Sequence, residues 1–211
     1  MDLSVWITYF IATIVLSVSP GPGVFSSISS GLHHGFRLGL WNGVGMQAAN
    51  FLMVIVVSLG LGAILLASET LFTVVKWAGV AYLVYLGIVT WRAPARGFEE
   101  DRGDHETTAR GVFMRGFWVN ATNPKGLVFF LAVLPQFVVP TEPLLPQYLA
   151  VGVTMVAVDL VVMGLYTGLS VRLLKWLHTP RRQTVLNRVF SALFAAAAVV
   201  LSLVRRGPAT A

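Results

Sequence analysis

Two full charges stand where the surrounding sequence is apolar: Lys125 inside the run 111–137 and Asp159 inside 148–171. Each costs about 2.5 to 3.5 kcal/mol at the centre of a membrane helix, so both must face a protein interior or a wet cavity. Two interruptions accompany them. Ser19-Pro20-Gly21-Pro22-Gly23 breaks one apolar run and Thr122-Asn123-Pro124-Lys125-Gly126 breaks another, with Pro20 and Pro124 104 residues apart in a chain of 211. A proline removes a backbone donor and frees a carbonyl where lipid offers neither partner, so such breaks persist only where something polar supplies one. Asn123 has the side chain of an N-cap, and Pro124 and Pro22 suit the first position of a new helix. Two half-helix starts converging from opposite directions form an anion site near the bilayer midplane, suited to a carboxylate. That chemistry is binding. It assigns Pro20, Gly21, Pro22, Gly23, Asn123, Pro124 and Lys125 to a substrate carboxylate, and Asp159 to the substrate ammonium or a coupling proton. Plainer alternatives stand beside it: a proline can simply kink a membrane helix, and Lys125 and Asp159 can form a salt bridge that only locks two helices together.

Other polar groups join this set. Tyr166 follows Asp159 by seven residues, two helical turns, and points from the same face; Gln47 and Asn50, three apart, also share a face. They read either as polar lining of a pathway or as interhelical hydrogen bonds that hold a bundle. His33, His34, His105 and His178 all fall in loops between apolar runs, and the adjacent pair has no carboxylate at ligand spacing, so no metal site is expected. The chain has no cysteine, which removes thiol and iron–sulfur chemistry. No nucleophile elbow, zinc-protease motif or phosphate-binding Gly-Lys-Ser/Thr motif appears, so neither an enzyme nor a resident cofactor is expected.

The elements that must position these residues follow from composition. The chain is 56% hydrophobic and 11% charged, whereas soluble domains carry roughly 25% charged residues. Apolar runs of spanning length occur at about 5–28, 38–66, 71–90, 111–137, 148–171 and 185–204. The fold expected is all-α, a polytopic membrane protein of six transmembrane helices with the first and fourth broken. Three spans per half reverse the second half, so any internal repeat is inverted. A single transporter domain, 1–211, then divides into repeat one (about 1–92), a charged cytoplasmic linker (about 93–110) and repeat two (about 111–206).

Loops after runs one, three and five hold Arg37, then Arg92, Arg96, Arg102, Arg110 and Arg115, then Arg172, Lys175, Arg181, Arg182 and Arg188, while those after runs two and four hold only Glu69 and Glu142. The positive-inside rule puts the first set in the cytoplasm and both termini outside, with Arg205 and Arg206 running against it. The pI near 10.2 therefore reports topology, and no nucleic-acid partner is expected. Gly31, Gly35, Gly39 and Gly43 repeat every four residues. Where helical, they give a smooth face for close packing, within one protomer or between copies in a homo-oligomer.

Several stretches together resemble a known family. Pro20-Gly21-Pro22, the glycines Gly31, Gly35, Gly39 and Gly45, and the segment 78–87 come first; then Gly116-Phe117, Asn123-Pro124-Lys125, Phe129-Phe130 and Leu134-Pro135-Gln136-Phe137. In that order they resemble the LysE-type amino-acid exporters, including the homoserine and threonine efflux branch. The resemblance implies a multi-pass secondary exporter of the bacterial inner membrane, with lipid around it and a small amino acid or close derivative as substrate. Alternating access, one three-span half rocking against the other, is the mechanism expected. The chain departs from many relatives in carrying Ala49-Asn50 where they have a glycine followed by an acid. One charge fewer favours a neutral substrate such as threonine, homoserine or leucine over lysine. The runner-up is a divalent-cation exporter of the same broad superfamily, which needs several hard oxygen ligands.

Overall fold

The computed structural model describes residues 2–61, 69–93, 108–139, 142–177 and 179–203, and among these every regular element is helical. In chain order they are α1 (Leu3–Val18), α2 (Pro22–Val56), α3 (Glu69–Arg92), α4 (Ala109–Ala121), α5 (Pro124–Val128), α6 (Leu144–Gly168), α7 (Ser170–Leu177) and α8 (Pro180–Leu203). A wider π-helical turn, Val57–Leu61, prolongs α2, and the turns Phe129–Val133 and Leu134–Phe137 prolong α5.

The first break follows from local chemistry. α1 closes with the Ser19 N–H on the Val15 carbonyl at 3.1 Å, because Pro20 and Pro22 offer no donors to continue the ladder. α2 then begins at Pro22 and runs for 35 residues, about 52 Å at 1.5 Å per residue and too long for one crossing of a core about 30 Å thick. It does not run straight. Gly35 has φ 70° and ψ 179°, a conformation closed to side-chain-bearing residues, and the chain doubles back there. Ser26 Oγ donates to Asn42 Oδ1 at 2.9 Å and Ser30 Oγ to the Gly39 carbonyl at 3.4 Å, pinning the two arms antiparallel.

This corrects the expectation of an apolar run ending near 28 and a loop to 37. The helix continues to a one-residue turn, and His33 and His34 lie on its last turn rather than in a loop. The four-residue glycine repeat is likewise not one face, since Gly35 is the corner and Gly31 and Gly39 sit on opposite arms. A methyl on Gly31 would strike the Thr167 carbonyl, and one on Gly39 would crowd the Thr167 methyl and the Ser30 carbonyl. The basic stretch after run five, read as loop, contains the short helix α7. His105, His178 and most of the linker 93–110 lie outside the described residues.

Packing joins α2 to α4 and α6, α1 to α6, and α3 to α8. The α2–α4 contact is backbone on backbone: a methyl on Gly45 would collide with the Phe113 carbonyl, and one on Gly116 with the Asn42 carbonyl. α1 is tied to α6 by Trp6 Nε1 donating to Thr154 Oγ1 at 3.0 Å and by the Tyr9 hydroxyl donating to the Val151 carbonyl at 3.2 Å. Polar side chains such as Thr13, Ser27 and Asn42 are fully buried while Leu59, Leu145 and Val153 are exposed, the reverse of a water-facing protein and the arrangement lipid demands. Among the described residues, Leu144–Gly168 and the stretch Pro22–Leu59, which is folded at Gly35, are long and apolar enough by length and composition to cross a membrane.

Candidate functional site

The two breaks meet. The Lys125 ammonium, from the first turn of α5, donates to the Leu16 carbonyl at 3.0 Å, the Ser19 carbonyl at 3.0 Å and Ser19 Oγ at 2.8 Å. Leu16 is four residues before Pro20, so its carbonyl is the acceptor that Pro20 leaves without a helical donor. Val18 stands in the same relation to Pro22, and its carbonyl accepts the Tyr166 hydroxyl at 2.8 Å. Both acceptors orphaned by proline in the first break are thus met by side chains more than 100 residues away in sequence, and the Leu16 carbonyl takes the Ser19 hydroxyl at 2.8 Å as well. Lys125 also sets a cation against the negative end of α1.

The second break closes on itself. Asn123 Oδ1 accepts the Lys125 backbone N–H at 3.1 Å, as an N-cap does. The Asn120 carbonyl, left without its helical donor by Pro124, accepts the Asn123 N–H at 3.0 Å. At the start of α2, by contrast, Gly21 provides no side-chain cap, so no cap side chain meets the first-turn N–H groups of Gly23 and Val24.

A buried amide chain holds the acid. Gln47 Nε2 donates to Asp159 Oδ2 at 2.6 Å, Asn50 Nδ2 donates to the same oxygen at 3.2 Å and to Gln47 Oε1 at 2.9 Å, and Asn120 Nδ2 donates to Asn50 Oδ1 at 2.6 Å. Between this chain and the breaks lies a cavity of about 30 Å³, bordered by Ser17, Gly23, Asn50, Asn123, Lys125 and Asp159, with the thioethers of Met46, Met155 and Met163 as its apolar wall. Asp159 and Lys125 share this cavity, yet no ion pair within 4.0 Å joins them among the described residues. The locking salt bridge is absent because each charge has other partners.

Of the residues singled out from sequence, Gly23, Asn50, Asn123, Lys125 and Asp159 border the cavity. Pro20, Gly21 and Pro22 form the bend beside it; a methyl on Gly21 would lie 3.3 Å from Lys125 Nζ. Pro124 opens α5, and Gln47 stands behind Asp159 as its strongest donor. Tyr166 does not line the cavity, for its hydroxyl is turned to α1. Sequence reasoning missed Asn120, Ser17 and the three methionines. The signal for Asn120 was present, since it precedes Asn123 by one helical turn in an otherwise apolar stretch. Ser17 Oγ is buried on the cavity wall with no hydrogen-bond partner, which one serine among many in this chain does not announce.

Residues 14–205 match the LysE type translocators. The chain is 37% identical over 206 residues to a homoserine/homoserine lactone efflux protein of Salmonella typhimurium, covering 97% of this chain and 99% of that one. It is also 37% identical over 202 residues to a Vibrio cholerae protein described as an uncharacterized membrane protein, covering 96% and 98%. A leucine efflux protein of Klebsiella pneumoniae is more distant, 23% identical over 133 residues and 63% of each chain. No solved structure matches.

Proposed function

This chain belongs to the LysE type translocator family, and on that premise we propose that it exports a neutral amino acid or close derivative, of the threonine, homoserine or leucine kind, across the bacterial inner membrane by secondary active transport. It is a helical membrane transporter and not an enzyme. One observation carries the reading: two proline-broken helices meet at a buried pocket that holds a cation, a carboxylate and an uncapped helix start. A zwitterion fits that triad. Its carboxylate takes the uncapped start of α2 with the start of α5, beside the Lys125 ammonium, whose three donors are engaged by Leu16 and Ser19 and which supplies positive charge. Its ammonium takes Asp159, which carries the coupling proton when the substrate has left.

The cavity's 30 Å³ corresponds to about one water, well below the roughly 300 Å³ at which ligand pockets begin. The pocket as described is too small for an amino acid, and on this proposal alternating access widens it. Six spans in two inverted halves are supported by the packing pattern. Exchanging the halves turns the α1–α6 contact into the α4–α2 contact, while α2–α6 and α3–α8 map onto themselves. The same pattern changes how the motion is drawn. Close backbone contacts at Gly45 and Gly116 run between the halves, so the halves move about these contacts as a pivot and do not separate there. Hinging at Ser19–Gly21 and Gly35 opens the pocket with those contacts kept.

The divalent-cation alternative is disfavoured, because Asp159 meets amide N–H donors where hard oxygen ligands are needed. Counterflow in proteoliposomes preloaded with homoserine, threonine or leucine tests the proposal. Exchange of labelled substrate is expected for at least one of them; correctly inserted protein that exchanges no amino acid overturns it.

A further inference from the structure

The far side of the molecule carries a second feature that the transport pocket does not use. α3 and α8 pack with their backbones close at Gly87, where the Ser191 hydroxyl donates to the Gly87 carbonyl at 2.7 Å. A methyl on Gly87 would sit 3.4 Å from the Ser191 carbonyl oxygen. On the outer side of this contact the helices leave a groove of about 420 Å³ lined by Val84, Gly87, Ile88, Ser191 and Ala195, and ending at Trp91 and Arg92. The guanidinium of Arg188, one turn before Ser191, lies 5.4 Å from the Trp91 ring centroid at that same end. Asn187 Nδ2 donates to the Ala93 carbonyl at 3.2 Å, fixing the end of α3 against α8 there. The groove is thus apolar along its length and doubly cationic at its mouth.

We propose that this groove is a binding site for an anionic glycerophospholipid, with an acyl chain along Val84, Ile88 and Ala195 and the headgroup phosphate on Arg92 and Arg188. Charge complementarity argues for that occupant. Lys175, Arg181 and Arg182 stand on α7 and the start of α8, the Arg182 guanidinium lies 5.6 Å from the Trp176 ring centroid, and no Asp or Glu follows Asp159 in the chain. Basic pockets between membrane helices hold acidic headgroups in this manner, and exposed indoles such as Trp91 belong at the interface where a phosphate lies. A zwitterionic lipid would fill the apolar length equally well but would bring no net charge to the two guanidinium groups.

The test uses the full-length protein in phosphatidylcholine vesicles, comparing tryptophan quenching by brominated phosphatidylglycerol and brominated phosphatidylcholine at equal mole fraction. Two arginines predict an association preference of about 30-fold for the acidic lipid at this site. The Trp91 share of the preferential quenching, read as the difference between the protein and its Trp91→Phe variant, is expected to fall towards unity in R92Q/R188Q and to persist in R92K/R188K and in R181Q/R182Q. A Trp91 share that does not distinguish the two lipids overturns the proposal, as does one abolished by R181Q/R182Q alone. Inorganic phosphate is expected not to relieve the preference, and relief by it would reassign the mouth to a free anion and sink the lipid reading. None of these outcomes depends on which amino acid is exported.

Discussion

At Ser19–Gly21 the chain is interrupted and repairs itself only in part, through the Ser19 hydroxyl on the Leu16 carbonyl; the rest of the protein makes good the loss, with Lys125 reaching from α5 to the Leu16 and Ser19 carbonyls and Tyr166 from α6 to that of Val18. At Thr122–Asn123 the chain is interrupted and repairs itself, with Asn123 capping α5 and its own N–H taking the Asn120 carbonyl. The difference lies in where the partners come from. A break closed by its neighbours in sequence holds its shape wherever the surrounding helices go. A break closed by side chains from two other helices holds only while those helices stay put, so the first break reports on the arrangement of the whole bundle. That makes it the better hinge, and Lys125 the residue that links substrate binding to hinge position.

The largest effect is expected from removing the distant donor. Lys125→Met strips the buried Ser19 carbonyl of its donor, at about 1 to 3 kcal/mol, and leaves the Leu16 carbonyl with the Ser19 hydroxyl alone. It should abolish export and give the largest fall in thermal midpoint of the detergent-solubilised protein; export at wild-type rate with normal expression would dissolve the contrast between the breaks. Asp159→Asn comes next. An amide still accepts from Gln47, so the midpoint should barely move while export into vesicles is lost. If transport survives with its pH-gradient dependence unchanged, Asp159 carries no coupling proton.

Tyr166→Phe removes one donor from one buried carbonyl, a penalty of about 1 to 3 kcal/mol, and should lower export several-fold without abolishing it, as measured by initial rates. The smallest effect belongs to the self-contained break. Serine is about as good an N-cap as asparagine, so Asn123→Ser should change stability by less than about 0.5 kcal/mol and leave transport near normal. A loss as large as that of Lys125→Met would show that Asn123 does more than cap.

Much of this was legible in the residues. The apolar runs, the two proline breaks, Asn123 as a cap, and the shared face of Gln47 and Asn50 all follow from one-dimensional rules of helix periodicity and capping, because those interactions join residues within a turn of each other. By hydropathy the first run ends at 28 because Ser29, Ser30, His33 and His34 read as loop, whereas the helix carries these polar residues as far as the corner at Gly35, whose φ is 70°. Tyr166 and Asp159 share a helical face yet serve different partners, since a face two turns long borders more than one neighbouring helix.

The amino-acid order alone settles that this chain is helical, lipid-facing and interrupted twice, since hydropathy and proline chemistry act locally on the backbone. What the order leaves open is which orphaned carbonyl each long polar side chain finds. Lys125 was bound to seek a partner inside the membrane, and substrate, Asp159 and a helix end were all chemically acceptable. Tertiary packing chose the helix end by bringing α1 and α5 together at their broken ends, which no rule of spacing along a single helix determines.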